Sequence, residues 1–191
     1  MKIAVLALQG AFIEHEKVLS ELGAECVELR NAEDLQQDFD ALVLPGGEST
    51  VQGKLLRESG MFEPLKERIE AGMPVLATCA GMILLADHIA DDDTRHFATI
   101  PMTVKRNAYG RQLGSFRTHA DFGALGTIPM TFIRAPYIEK VGAGVKVLAE
   151  VDGKIVAVQY GKQLALAFHP ELDVQESTAV HEYFLRMCGE D

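Results

Sequence analysis

The chain has little of what would mark it for a membrane, an oxidising compartment or a nucleic acid. Its longest apolar run, around Cys79, falls far short of the ~20 residues needed to span a bilayer. The opening segment, Met1 to Leu8, has a single Lys and too short an apolar run for a signal peptide. Only three cysteines occur, Cys26, Cys79 and Cys188, an odd number with no C-x-x-C spacing. Neither a disulfide framework nor a zinc site is supported, no cofactor motif is present, and a reducing cytoplasm is the expected setting. Basic residues are outnumbered, 18 Lys and Arg against 28 Asp and Glu, for a net charge of −10. A sequence-independent nucleic-acid binder needs a basic face for the phosphates, so that class is disfavoured. No repeat, low-complexity tract or linker breaks the 191 residues, and a single domain over 1–191 is expected.

What is present is alternation. Ile3 to Leu8 is a continuous apolar run, the pattern of a strand covered on both faces. Gln9-Gly10-Ala11 breaks it, and helical spacing follows from Phe12 to Leu22, closed by Gly23. Strands are predicted at Glu25 to Arg30 and Asp40 to Leu44, helices at Thr50 to Glu58 and Met61 to Ala71, then a strand from Pro74. Strand and helix in this order imply βαβ units and an α/β fold: an open, mostly parallel twisted sheet with helices on both faces. After Asp91-Asp92-Asp93 the pattern changes to short strand-like runs at 100–105, 114–118, 130–134, 145–150, 155–160 and 164–168. Turn signals at Asp152-Gly153 and Gly161-Lys162 predict hairpins, hence antiparallel strands in the C-terminal half. A last helix is predicted from Val174 to Cys188.

The stretch Met73 to Ala86 joins an apolar strand to a run of helix formers, with Cys79 between Thr78, Ala80 and Gly81. Small neighbours allow a tight strand-to-helix turn of the nucleophile-elbow kind. A helix N-terminus favours a thiolate, which is a strong nucleophile. A cysteine in such a run also packs as a small hydrophobe, and the stretch alone does not separate the two.

A catalytic thiolate needs a base, and six histidines are available. His15, His88 and His181 lie in helical patterns, and His96 and His119 in polar stretches expected to be exposed. His169 differs, because it ends the apolar strand Leu164 to Phe168 and precedes Pro170-Glu171. Proline holds the residue before it extended, and residues two apart in extended chain share a side, so Glu171 can back the His169 ring. Pro45-Gly46-Gly47 follows the third strand, where ligands of such sheets sit. Ser49 and Gln52 fit a capping box for the next helix. Gly47 and Ala80 can supply backbone N–H groups for an oxyanion hole.

Pro45-Gly46-Gly47-Glu48-Ser49, Ala77-Thr78-Cys79-Ala80-Gly81 and His169-Pro170-Glu171 resemble the triad-type (class I) glutamine amidotransferases. Leu8-Gln9-Gly10-Ala11, Arg106-Asn107-Ala108-Tyr109-Gly110-Arg111-Gln112 and Phe132-Ile133-Arg134-Ala135-Pro136 narrow the resemblance to the glutaminase subunits of pyridoxal 5′-phosphate synthase. One departure is Ala77, where the wider family has glycine. The resemblance implies a flavodoxin-like glutamine amidotransferase fold that hydrolyses L-glutamine to glutamate and ammonia. Cys79 would be the nucleophile, His169 the acid and base, and Glu171 its orienter. Glutamine contacts would fall on Gly47, Glu48, Ser49, Arg106, Ile133 and Arg134, without a metal or cofactor. The implied partner is a (β/α)₈-barrel synthase in a large hetero-oligomer, receiving the ammonia. A glutaminase for another synthase, such as that of imidazole glycerol phosphate, and a redox-sensing module built on Cys79 are the competing readings.

Overall fold

The computed structural model describes residues 1–106 and 114–189. The predicted motif segment Asn107 to Gln112 therefore lies outside the described residues. The elements run β1 (Lys2–Leu6), α1 (Phe12–Glu21), β2 (Glu25–Leu29), β3 (Ala41–Leu44), α2 (Ser49–Glu58), α3 (Phe62–Glu70), β4 (Val75–Thr78) and α4 (Ala80–Leu85). They continue β5 (Ala86–Ile89), β6 (Ile100–Lys105), β7 (Ser115–Asp121), β8 (Thr127–Ile133), β9 (Tyr137–Val141), β10 (Lys146–Val151), β11 (Lys154–Tyr160), β12 (Gln163–Leu166) and α5 (Ala179–Gly189). Short 3₁₀ turns occupy Ala32–Gln36, Gly123–Leu125 and Pro170–Leu172.

Among the described residues a ten-stranded sheet runs β2-β1-β3-β4-β12-β11-β9-β6-β5, with β10 paired to β11, and β7 and β8 form a separate hairpin. The pairs from β2 across to β12 are parallel, and those from β12 through β11 and β9 to β6 are antiparallel. The chain leaves β1 for β2 on one side and returns to β3 on the other. This reversal opens a crevice at the carboxyl ends of the strands. Burial explains why the central strands read as unbroken apolar runs: Ile3, Ala4 and Val5, all of β3, Val75 to Ala77 and Leu164 to Phe168 are 0% exposed. At ~25 cal/mol per Å² of apolar surface, these strands supply much of the drive to fold.

Both predicted hairpins are present. Asp152 and Gly153, with φ of 50° and 72°, join β10 to β11, the signature of a type I′ turn. Gly161, at φ 54°, opens the two-residue turn from β11 to β12.

Several expectations need correction. Ser49 does not cap α2 but is its first residue, and the N-cap is Glu48 with no side-chain cap bond. Gln52 instead donates to the backbone carbonyls of Gln9 (3.0 Å) and Pro45 (3.1 Å), bracing the loops after β1 and β3 together. The last helix begins at Ala179 rather than Val174, because residues after the 170–172 turn are held by bonds to Asp173 and Pro170. His88 lies on strand β5, since α4 lasts only to Leu85. His96 is buried, its ring seated against Gly53 of α2, where an added Cβ would stand 2.3 Å from it.

Candidate active site

Strands β1, β3, β4 and β12 deliver their carboxyl-end loops to one rim, and the cleft there has a volume of about 420 Å³. Its lining includes Gln9, Gly46, Gly47, Glu48, Ser49, Cys79, Ala80, Arg106, Ile133, Arg134 and His169. The structure thus gathers around one cavity all the predicted site residues except Glu171, which lies directly behind His169.

Cys79 sits at the turn from β4 into α4 with φ 49° and ψ −104°, a conformation rarely adopted by an L-residue. Such backbone costs of order 1–3 kcal/mol and persists only where the surroundings impose it. They do so here. The Cys79 N–H donates to the Leu166 carbonyl at 2.8 Å, continuing the β4–β12 ladder up to the turn. Gly81 lets α4 press on the end of β3, for a Cβ there would lie 2.0 Å from the Leu44 carbonyl oxygen. Ala77 lies inside β4 and is not among the residues of positive φ, so alanine is tolerated where the wider family has glycine.

His169 leaves β12 with its backbone N–H donating to Thr131 of β8 at 2.8 Å. Its Nδ1 lies 2.6 Å from Glu171 Oε1, and the ring lines the same cleft as Cys79. Burial alone would pull the imidazole down, but the hydrogen bonds to Cys79 and Glu171, with the Glu171 charge, push it up to about 10. Burial would raise the Glu171 carboxyl, yet the His15 and His169 rings beside it hold it below the ordinary carboxylate value. A carboxylate thus fixes Nδ1 as the protonated nitrogen and leaves Nε2 to the sulfur.

The Arg106 side chain at the cleft wall is itself held in place. Arg106 pairs with Asp92 and donates to Thr50 Oγ1 at 3.3 Å, while Arg134 stands exposed at the end of β8 with φ 43°. Reading the sequence missed two contributors. Asp92 belongs to an acidic run that marked only a change of character, and Gln9 was visible only as part of a motif. The Gln9 Oε1 accepts from the Glu48 N–H at 2.8 Å and fills the space beside Gly47, where a Cβ would lie 2.4 Å from it. No set of three or more His, Cys, Asp or Glu side chains among the described residues is placed to hold a metal ion.

A model of the SNO glutamine amidotransferase family matches residues 5–190. The chain belongs to that family. Members similar to it include the pyridoxal 5′-phosphate synthase subunit PdxT of Desulfitobacterium hafniense strain Y51, 64% identical over 97% of this chain and 92% of the relative. The subunit of the same description from Streptococcus pneumoniae strain ATCC 700669 is 55% identical over 100% and 99% of the two chains. A crystal structure described as a glutamine amidotransferase superposes with a TM-score of 0.91 at 43% identity, covering 98% of this chain and 99% of the other. The PurLQS structure from Thermotoga maritima, at 16% identity and TM-score 0.70, shares the fold. The SNO glutamine amidotransferase fold is thus the α/β architecture expected from the sequence.

Proposed function

We propose that this protein is the glutaminase subunit of a pyridoxal 5′-phosphate synthase, hydrolysing L-glutamine through Cys79, His169 and Glu171. The observation that carries the mechanism is the buried His169–Glu171 contact of 2.6 Å, set behind a cysteine in a strained elbow. The Cys79 sulfur attacks the side-chain carboxamide carbon. The Gly47 and Ala80 N–H groups receive the developing oxyanion. His169 gives its Nε2 proton to the departing nitrogen, which leaves as ammonia, and a thioester stays on Cys79. His169 then takes a proton from water, whose oxygen attacks the thioester and releases glutamate. Glu171 keeps the imidazole in the required tautomer throughout.

Charge decides the placing of the amino-acid end. An α-ammonium suits the exposed Glu48 carboxylate, and an α-carboxylate suits Arg106 or Arg134. Ser49 and Ile133 complete the binding wall.

Ammonia freed into water at neutral pH becomes ammonium and loses its nucleophilicity, so delivery to a docked synthase through an enclosed path suits the chemistry. A (β/α)₈-barrel synthase in a large hetero-oligomer is the partner we propose. The exposed apolar Ile133 (41%), which lines the cleft, supports docking there. No helix among the described residues is long and apolar enough to cross a membrane, which accords with a cytoplasmic setting.

The test is glutamate release with and without a barrel synthase, with Cys79→Ser as control. Weak turnover alone, a marked rise with the synthase and none in the variant are expected. Absence of glutamate with every partner, alongside peroxide-sensitive Cys79, would overturn the reading in favour of a redox module.

A further inference from the structure

Behind the triad, two histidines that the proposed mechanism does not use form a buried pair. His15 of α1 and His181 of α5 are each 0% exposed, and His15 Nδ1 lies 3.0 Å from His181 Nε2. The far side of the His15 ring faces the catalytic segment. Its Nε2 is 3.2 Å from Thr78 Oγ1, the residue before Cys79, and 3.4 Å from Glu171 Oε2. Glu171 Oε2 makes no ordinary hydrogen bond, although its side chain is fully buried. A carboxylate oxygen buried without a donor costs about 1–3 kcal/mol or more, so a donor aimed at it matters.

We propose that His15 is a positioning residue for the triad, its Nε2–H directed at the outer oxygen of Glu171 and its tautomer set by His181. The proposal rests on the triad reading given above. The tautomers follow from the contacts. If His15 carried its proton on Nδ1, the Nε2 lone pair would face the Glu171 carboxylate at 3.4 Å, which is repulsive, with only the Thr78 hydroxyl at 3.2 Å to donate to it, and Glu171 Oε2 would be left without a donor. The proton therefore sits on Nε2, and Nδ1 accepts from the His181 Nε2–H, leaving His181 Nδ1 as the lone pair that meets no donor.

The charges facing His15 agree with a neutral ring. Glu171 favours its protonation from the 170–172 turn, and Glu14 does so from its own helix. His169 opposes it, and His181 of α5 is held neutral, at about 3, by burial and the neighbouring His15. Burial dominates and lowers His15 itself. It thus acts on Glu171 as an N–H donor and not as a cation. Glu171 then receives one imidazole on each oxygen: His169 on Oε1 and His15 on Oε2. Its carboxylate plane, and with it the His169 ring, is fixed from both sides. The 3.4 Å separation is long, as catalytic hydrogen bonds are before substrate tightens them. A competitor is water, because a 160 Å³ cavity lined by Glu14, Lys17, Val18, Glu21, Val174 and Gln175 also reaches Glu171.

The test reads the reactivity of Cys79 by the rate of iodoacetamide alkylation against pH, in the full chain carrying Cys26→Ser and Cys188→Ser. His15→Leu removes the donor. The acid limb of the Cys79 profile should move up by about one pH unit, a tenfold loss of rate on that limb. His15→Gln, which can place an N–H near the same point, should bring the limb most of the way back. An unmoved limb in His15→Leu, or equal shifts in both variants, would overturn the proposal in favour of a purely structural ring or of water as the donor. A second measurement needs no variant: ¹⁵N spectra of histidine-labelled parent protein at neutral pH should show His15 neutral and protonated on Nε2. An Nδ1–H tautomer or an imidazolium would overturn it too. Failure of the glutaminase reading registers separately, as absent glutamate release by the parent protein with the synthase.

Discussion

A Cβ placed on Gly46 would lie 2.4 Å from Cε1 of His169. The loop after β3 and the His169 ring after β12 are therefore in contact only because position 46 has no side chain. Gly46→Ala should push the imidazole away from the Cys79 sulfur. Misplacement by about 1 Å costs roughly 100-fold in rate. Glutamate release in the presence of the synthase should fall by about that factor, with KM for glutamine little changed. Near-normal turnover would show that the His169 ring has slack.

Arg106 and Asp92 form the second relationship with a measurable consequence. Asp92→Ala leaves Thr50 as the remaining hydrogen-bond partner of the Arg106 guanidinium at the cleft wall among the described residues. The expected outcome is KM for glutamine raised about tenfold, the scale of one charge-assisted contact, with kcat changed less. A fall in kcat at constant KM would instead place Asp92 in the chemistry.

Stability should depend on pH on both sides of neutrality. Burial keeps His15, His96 and His181 below the ordinary 6.5, His96 at about 4 and His181 at about 3. Below 6.5 the unfolded chain binds protons that the fold refuses, so stability falls as pH drops. His169 works in the opposite sense. Raised to about 10, its contribution is complete below 6.5 and is lost as pH climbs towards 10. Thermal melts should therefore peak near neutral pH. A melting temperature unchanged between about pH 7 and about pH 4 would contradict the buried neutral histidines.

The hairpin of β7 and β8 is latched to the segment that carries the base. Arg117 of β7 pairs with Asp173 (2.8 Å) and Glu176, and Thr131 of β8 donates to Asp173 at 3.0 Å. Asp173 is only 4% exposed, so removing the arginine strands a buried carboxylate. Arg117→Ala should lower the melting temperature by roughly 2–4 °C, measured by circular dichroism. An unchanged melting temperature would mean that Thr131 alone satisfies Asp173.

Much of this was legible in the order of residues. Strands buried on both faces, such as β3 and β12, read as unbroken apolar runs, and Gly161-Lys162 reads as a two-residue turn. The pairing of His169 with Glu171 was also legible, but not its cause: the 3₁₀ turn Pro170–Leu172, and not an extended run, brings the carboxylate to the ring. What could not be read depends on distant partners. Gln52 looked like part of a capping box, but two loops from other strands recruit its amide. His96 looked exposed because Gly53, which makes room for its ring, lies in α2 and far back in the sequence. The His15–His181 pair joins α1 to α5, and neither histidine differs locally from an ordinary helix residue.

The pairing of β4 with β12 sets a further condition on the protein's life in the cell. Cys79 lies in the first half of the chain, whereas the strand that anchors its backbone and the proposed base, His169, come near the end. During synthesis the elbow emerges well before Leu166 and His169 exist to hold it, and long-range parallel pairing forms late. The nascent chain thus carries Cys79 without its neighbours, and the elbow is assembled only when the sheet is closed. Completion of the fold is in this sense the first control on the enzyme, acting before any partner docks.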